Sequence, residues 1–273
     1  MKKFLLFLIL LVFSGNLFAF DSDMDGVSDA KDKCPNTPFT DLVDIDGCTK
    51  KSLTQNYHYD IIVGLSSTSS DYTTLNKTDT LATTIQADYY YKNFSFQAAT
   101  SIYTERGNGY NESGLQDSFL GAAYQVFPTT NFAVRFSIGA ILPTYDSSLN
   151  NNKTDYTAGV NVSYNIDKLN LFGGYGYTLI NDTDYSNSII SVYYQNTHSY
   201  SGGVGYNITD KLYMSGTYTN SDSIYVGVEK VETASLYAYY SIDKNWFSTF
   251  SYAYGISDSA SQTYIAVKLG YFF

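Results

Sequence analysis

Apolar and small polar residues alternate along most of the chain between Tyr57 and Phe273. At the C-terminal end, Ile265, Val267, Leu269, Tyr271 and Phe273 share one parity, while Ala266, Lys268 and Gly270 share the other. Neighbouring side chains of a strand point to opposite faces, so the pattern describes strands with one apolar and one polar face. About twelve segments follow it, at 57–67, 81–91, 94–105, 115–127, 132–145, 154–166, 169–181, 196–208, 212–224, 231–242, 246–258 and 261–273. The apolar parity carries Phe94, Phe96, Ala98 and Ile102 in one segment, Phe132, Val134, Phe136 and Ile138 in another, and Leu169, Leu171, Tyr175 and Tyr177 in a third. Ser, Thr, Gly, Ala, Gln and Asn fill the opposite parity, and Tyr or Phe recurs near the segment ends.

The connections come in two kinds that alternate. Short ones lie at 92–93, 128–131, 167–168, 209–211 and 243–245; longer ones lie at 68–80, 106–114, 146–153, 182–195, 225–230 and 259–260. Tight turns at one end and long loops at the other are the rhythm of a transmembrane β-barrel, with apolar side chains toward lipid and polar ones toward the interior. The predicted fold class is all-β, an antiparallel transmembrane β-barrel of about 12 strands over residues 57–273. An even strand count puts both ends of the barrel on the short-turn side, which is the periplasmic side of such barrels.

Composition supports this and removes other classes. Tyr (29) and Phe (17) are abundant, Trp (1) and Pro (4) are scarce, and 15% of residues are charged. A soluble domain ordinarily carries about a quarter charged residues. Lys2 and Lys3, the apolar run Phe4–Phe13 and Ala19 read as an export signal over 1–19, too short to span a bilayer as a helix. A net charge of −10 argues against nucleic-acid binding, which needs a basic face.

Residues 20–48 form a separate acidic stretch, joined to the barrel by a tether at 49–56. Asp21, Asp23 and Asp25 alternate, Gly26 follows, and Asp29 and Asp32 come next at a spacing of three. Ca²⁺ needs six to eight oxygens in a small sphere, and alternating Asp around a tight turn with the Val27 carbonyl supplies them. Cys34 and Cys48 are the two cysteines of the chain and in an exported protein are expected to pair. The run from Asp21 through Cys34-Pro35 resembles the thrombospondin type 3 repeat in its bacterial form, found beside barrels of OmpA-like proteins. The resemblance implies a loop-like module holding Ca²⁺ through Asp21, Asp23, Asp25, Asp29 and Asp32, beside the Val27 carbonyl that the turn supplies. No peptidoglycan-binding domain follows, so a cell-wall anchoring role does not carry over.

The C-terminal strand, ending on Phe273, resembles the last strand of Gram-negative outer-membrane barrels. That resemblance implies recognition by the barrel assembly machinery and a place among outer-membrane lipid and lipopolysaccharide, with the N-terminal module in the periplasm.

Parity places Asp60, Asp88, Glu105, Asp117, Arg135 and Lys268 inward. Charges at membrane depth face water or one another, so they line a selective pore or form a salt-bridge plug; the sequence leaves both open. Tyr90, Tyr103, Phe119, Phe172, Tyr213, Tyr237 and Tyr239 also fall inward, as space fillers or as a stacking track for solutes. Catalysis finds little support. His198 falls on an outward parity with no aligned nucleophile pattern. The expected function is a porin-like channel for small solutes with a Ca²⁺-binding module. A plugged structural or adhesive barrel is the first alternative and a barrel lipid hydrolase the second.

Overall fold

The computed structural model describes residues 57–71, 77–145, 153–188 and 191–273, together with Asp23, Val27, residues 32–34, Thr37, Val43 and residues 46–48. The export segment 1–19, the tether 49–56 and the candidate ligands Asp21, Asp25 and Asp29 lie outside the described residues. The chain divides into two compact units, Met1–Thr54 and Gln55–Phe273.

The second unit is a barrel built from β1 (Tyr57–Ser70), β2 (Thr78–Tyr91), β3 (Phe94–Gly107), β4 (Tyr110–Leu115), β5 (Ser118–Thr129), β6 (Phe132–Leu142), β7 (Asp155–Ile166), β8 (Leu169–Leu179), β11 (Thr197–Thr209), β12 (Leu212–Ser221), β13 (Val231–Ser241), β14 (Trp246–Gly255) and β15 (Thr263–Phe272). A small hairpin of β9 (Tyr185–Ser186) and β10 (Ser191–Val192) stands in the connection after β8. Each barrel strand pairs antiparallel with its neighbours, and β1 pairs with β15, so the sheet closes on itself. Both β4 and β5 pair with β3. They are two halves of one wall strand, interrupted at Gln116 and Asp117, and the barrel has 12 strands. Closure leaves no edge, so the backbone groups of every strand are met by neighbours, as a lipid environment requires.

The outward faces are apolar where a water-soluble protein would hide them. Leu65, Ile85, Ile102, Leu236 and Val267 each leave about half of their surface exposed, and Ile138 leaves 66%. Near the short turns this belt ends in outward aromatics, among them Tyr57, Tyr59, Tyr89, Phe94, Phe96, Trp246 and Tyr271. Amphipathic rings at that level match the interface between hydrocarbon and headgroups.

The connections expected at 146–153, 225–230 and 259–260 are longer, at 143–154, 222–230 and 256–262, and three others differ in kind or length. The loop predicted at 106–114 is a hairpin, β3 into β4, turning at Asn108-Gly109 with Gly109 at φ +93°. The Asn-Gly pair is a strong turn signal. The expected loop at 68–80 is shorter, because β1 runs to Ser70 and β2 begins at Thr78. The loop at 182–195 contains the β9–β10 pair, and Tyr194 bridges to Tyr225 in the next long connection. All three lie where strands leave the membrane pattern and the inside–outside alternation no longer marks them.

The first unit is described at a few residues. Cys34 and Cys48 form a disulfide. Around it, the Lys33 amide donates to the Asp46 carbonyl at 2.8 Å and the Lys33 ammonium pairs with the Asp46 carboxylate at 2.9 Å. The Thr37 hydroxyl donates toward the carbonyls of Cys34 and Gly47.

Candidate functional site: the barrel lumen

Strand register fixes which side chains share the interior. Asp60 on β1 stands opposite Asp88 on β2, and Asp88 opposite Gln97 on β3. Gln125, Arg135 and Asn161 form a row across β5, β6 and β7. Lys268 on β15 lies between Gly64 on β1 and Thr249 on β14. Asp60, Asp88, Arg135 and Lys268 thus occupy the half of the barrel nearer the short turns. Glu105 and Asp117 lie toward the long-loop end, where Glu105 accepts from the Thr80 hydroxyl at 3.1 Å and Asp117 from the Tyr145 amide at 3.0 Å.

Asp60 and Asp88 face each other directly, and a neutral amide stands between Asp88 and Lys268. The Gln86 amide donates to Asp88 at 2.7 Å and accepts from the Lys268 ammonium at 3.4 Å. Arg135 donates to the Ser95 hydroxyl at 2.7 Å. Among the described residues, none of the four makes a direct ion pair; the pairs present join Lys33 to Asp46, Lys77 to Asp79 and Lys230 to Asp222. A salt-bridge plug would bring these charges into contact. Instead they are spaced along the wall.

Inward aromatic side chains form a connected row beside these charges. The Tyr90 ring stacks on His58, with centroids 4.3 Å apart. His58 meets Phe272 edge-on at 6.2 Å, Phe272 meets Phe247 at 4.6 Å, and Phe247 stacks on Tyr239 at 5.5 Å. Tyr239 stands opposite Tyr213 in the β12–β13 register. Parity marks Tyr90, Tyr213 and Tyr239 as inward, and the structure adds His58, Phe247 and Phe272 to the row. The clue for Phe272 was Phe273 itself, since an outward terminal residue forces its neighbour inward.

Inside the barrel Tyr103, Phe247, Asp60 and Asp88 are buried. The inward rings of Phe119, Phe172, Tyr90, Tyr213, Tyr237 and Tyr239 all keep partial exposure.

His198 lies on the outer wall, as its parity predicts. Its Nδ1 meets the Tyr175 hydroxyl at 2.7 Å, and the Tyr177 ring lies 5.1 Å away. Its described partner is therefore a tyrosine, not the serine a hydrolase would need.

In the first unit, Asp23 and Asp32 are each held by a backbone amide. Asp23 Oδ2 accepts from the Thr37 N–H at 2.6 Å, and Asp32 Oδ1 accepts from the Cys34 N–H at 2.7 Å. The second oxygen of each, Asp23 Oδ1 and Asp32 Oδ2, is buried without a hydrogen-bond partner.

No family model matches the chain, and no curated protein matches it. Solved structures do. The NanC porin aligns at TM-score 0.50 and 17% identity, covering 78% of this chain and 98% of that one. The KdgM porin aligns at 0.50 and 13%, with the same coverage. The translocator domain of the autotransporter NalP from Neisseria meningitidis aligns at 0.50 and 14%, covering 80% of this chain and 88% of that one. At these identities the likeness is one of fold, and the fold is the outer-membrane β-barrel.

Proposed function

We propose that the protein is a porin-like channel of the Gram-negative outer membrane, passing small solutes through the lumen lined by Asp60, Asp88, Glu105, Asp117, Arg135 and Lys268. The observation that supports this reading is the partial exposure that the inward rings of Tyr90, Phe119, Phe172, Tyr213, Tyr237 and Tyr239 keep inside a closed barrel. A 12-stranded circumference lies between the eight strands that side chains fill and the sixteen or so that leave a wide channel. The absence of direct ion pairs among Asp60, Asp88, Arg135 and Lys268 favours a lining over a salt-bridge plug. Lipid and lipopolysaccharide surround the apolar belt, and the C-terminal strand is the contact for the assembly machinery.

The N-terminal unit is proposed to sit in the periplasm and to bind Ca²⁺. Support comes from the two orphaned oxygens of Asp23 and Asp32, since a buried carboxylate oxygen without a donor is costly unless a cation meets it. Val27 would add a backbone oxygen; Asp21, Asp25 and Asp29 complete the set in sequence. Calcium would neutralise the cluster and order the loop.

Single-channel recording of the refolded protein in planar bilayers, first with calcium and then with chelator, tests both parts. Discrete open steps are expected. Deletion of residues 21–48 should abolish any calcium dependence of those steps. A barrel that never conducts would overturn the channel reading. Equal calcium responses in full-length and deleted protein would show that the module is not the source of any calcium dependence.

A further inference from the structure

Asp60 carries a buried oxygen, Oδ1, that no donor among the described residues meets. Register sets Asp88 opposite it on β2 and Phe272 opposite it on β15. Asp60 is 3% exposed and Asp88 7%. Asp88 is better served, since its Oδ2 accepts from the Gln86 amide at 2.7 Å. The two positive groups of this half of the barrel both end away from Asp60. The Lys268 stem crosses β1 flat over Gly64, where a Cβ would stand 2.6 Å from its Cγ, and its ammonium stops at the Gln86 oxygen, 3.4 Å away. Arg135 donates to the Ser95 hydroxyl on β3 at 2.7 Å. Among the described residues neither pairs with a carboxylate. Two acids thus face each other under cover, and the nearest cations of the chain are held on neutral atoms of β2 and β3.

We infer that the facing carboxylates of Asp60 and Asp88 bind one small monovalent cation, of the Na⁺ class, between β1 and β2. Like charges directly opposed on neighbouring strands repel, and a buried carboxylate oxygen without a partner is costly. One cation removes both costs, with Asp60 Oδ1 as a ligand on one strand and the Asp88 carboxylate on the other. Charge and burial set its class. Lys268 and Arg135 already stand near, so a divalent ion would leave twice the excess of positive charge that a monovalent ion leaves. Ca²⁺ also needs six to eight oxygens, more than two carboxylates supply, and one of these is already bonded to Gln86. An organic ammonium would have to press its carbon frame against two side chains that are almost wholly covered. A bare ion fits between opposed strand positions, whose Cβ atoms stand about 5 Å apart. The site rests on strand register and is independent of conduction. It lies on the strand that closes against β15, so the ion would tie β1 to β2 beside the seam of the barrel.

The test uses the full-length protein refolded into phosphatidylcholine vesicles, whose headgroups carry no net charge. Chelator is present throughout, so the N-terminal unit contributes no Ca²⁺ effect. Urea unfolding is followed as Na⁺ replaces N-methylglucamine at constant pH, chloride and ionic strength. One bound cation predicts that, above its dissociation constant, the folding equilibrium constant rises about ten-fold for each ten-fold rise in Na⁺. Asp60→Asn keeps the shape, removes one charge and lets an amide donate to Asp88. It should lose the Na⁺ dependence and be at least as stable as the parent in N-methylglucamine. Asp88→Asn gives the same readout where Asp60→Asn does not fold. Equal midpoints of the parent in the two cations overturn the site, which is the result a shared proton or a water on Asp60 would give. A Na⁺ dependence that survives in the variants also overturns it, because the ion then binds elsewhere.

Discussion

Phe273 closes the barrel onto Tyr59. Its backbone N–H donates to the Tyr59 carbonyl at 3.0 Å, and the two rings stack with centroids 4.7 Å apart. Phe273 also meets Tyr271 edge-on at 4.6 Å, and Tyr271 meets Trp246 at 4.8 Å. The last residue of the chain therefore ties the first strand to the last two at the lipid interface. Phe273→Ala keeps the backbone bond and removes the stack, so it should destabilise the closed barrel by about 1 kcal/mol. The measurement is the urea midpoint of unfolding from phospholipid vesicles. An unchanged midpoint would show that the ring contributes nothing to closure.

Much of this barrel is legible in the sequence because burial is decided by parity. The inward positions of Asp60, Asp88 and Arg135 follow from alternation alone, and register places them as that alternation requires. What the sequence hides is the level of each residue along the barrel. Asp60 and Asp117 look equivalent by parity, yet one lies near the short turns and the other near the long loops. Adjacent aromatics hide a second thing: in Trp246-Phe247 either ring could face inward, and pairing with Tyr271 and Gly270 decides. The partner of Asp23 comes from Thr37, fourteen residues on, and that of Asp32 from Cys34, two residues on, contacts that no periodicity describes.

The turn between β13 and β14 gives a pH dependence. Asp243 Oδ1 accepts from the N–H groups of Asn245 and Trp246, each at 2.8 Å. These two donors hold the carboxyl below its ordinary range. A depressed folded-state value contributes stability above the unfolded value, about 3.9 for Asp, and that contribution is lost as pH falls through the folded value. Asp243→Asn should lower the unfolding midpoint at neutral pH, and the difference from the parent should shrink in acid. Midpoints measured between about pH 3 and pH 7 check it. A difference that stays constant over that range would mean the ionised carboxylate is not the source.

The lumen charges should set ionic preference. Asp60 and Asp88 stand opposite each other, and Arg135 and Lys268 lie on flanking walls without touching them. Replacing both acids, Asp60→Asn with Asp88→Asn, should shift the reversal potential in a KCl gradient toward anions. Arg135→Gln should shift it the other way. Such shifts shrink as salt rises, because screening shortens the reach of each charge. If neither variant moves the reversal potential, these residues do not line the conducting path.

Toward the long-loop end, Phe119 is held flat by two glycines. Gly121 and Gly139 are register partners on β5 and β6, and the Phe119 ring covers both. A Cβ at Gly139 would stand 2.6 Å from Cε2 of Phe119, so the ring and the methyl cannot share the wall. In Gly139→Ala the ring must swing toward the lumen, the only side without backbone behind it. Single-channel conductance should therefore fall, and overpacking should destabilise the barrel by about 1–3 kcal/mol. Adding Phe119→Ala to Gly139→Ala removes the obstacle and should return conductance to the parent level or above. If Gly139→Ala lowers stability but leaves conductance untouched, the ring has moved along the wall instead, and the lumen at this level is wider than one aromatic side chain can narrow.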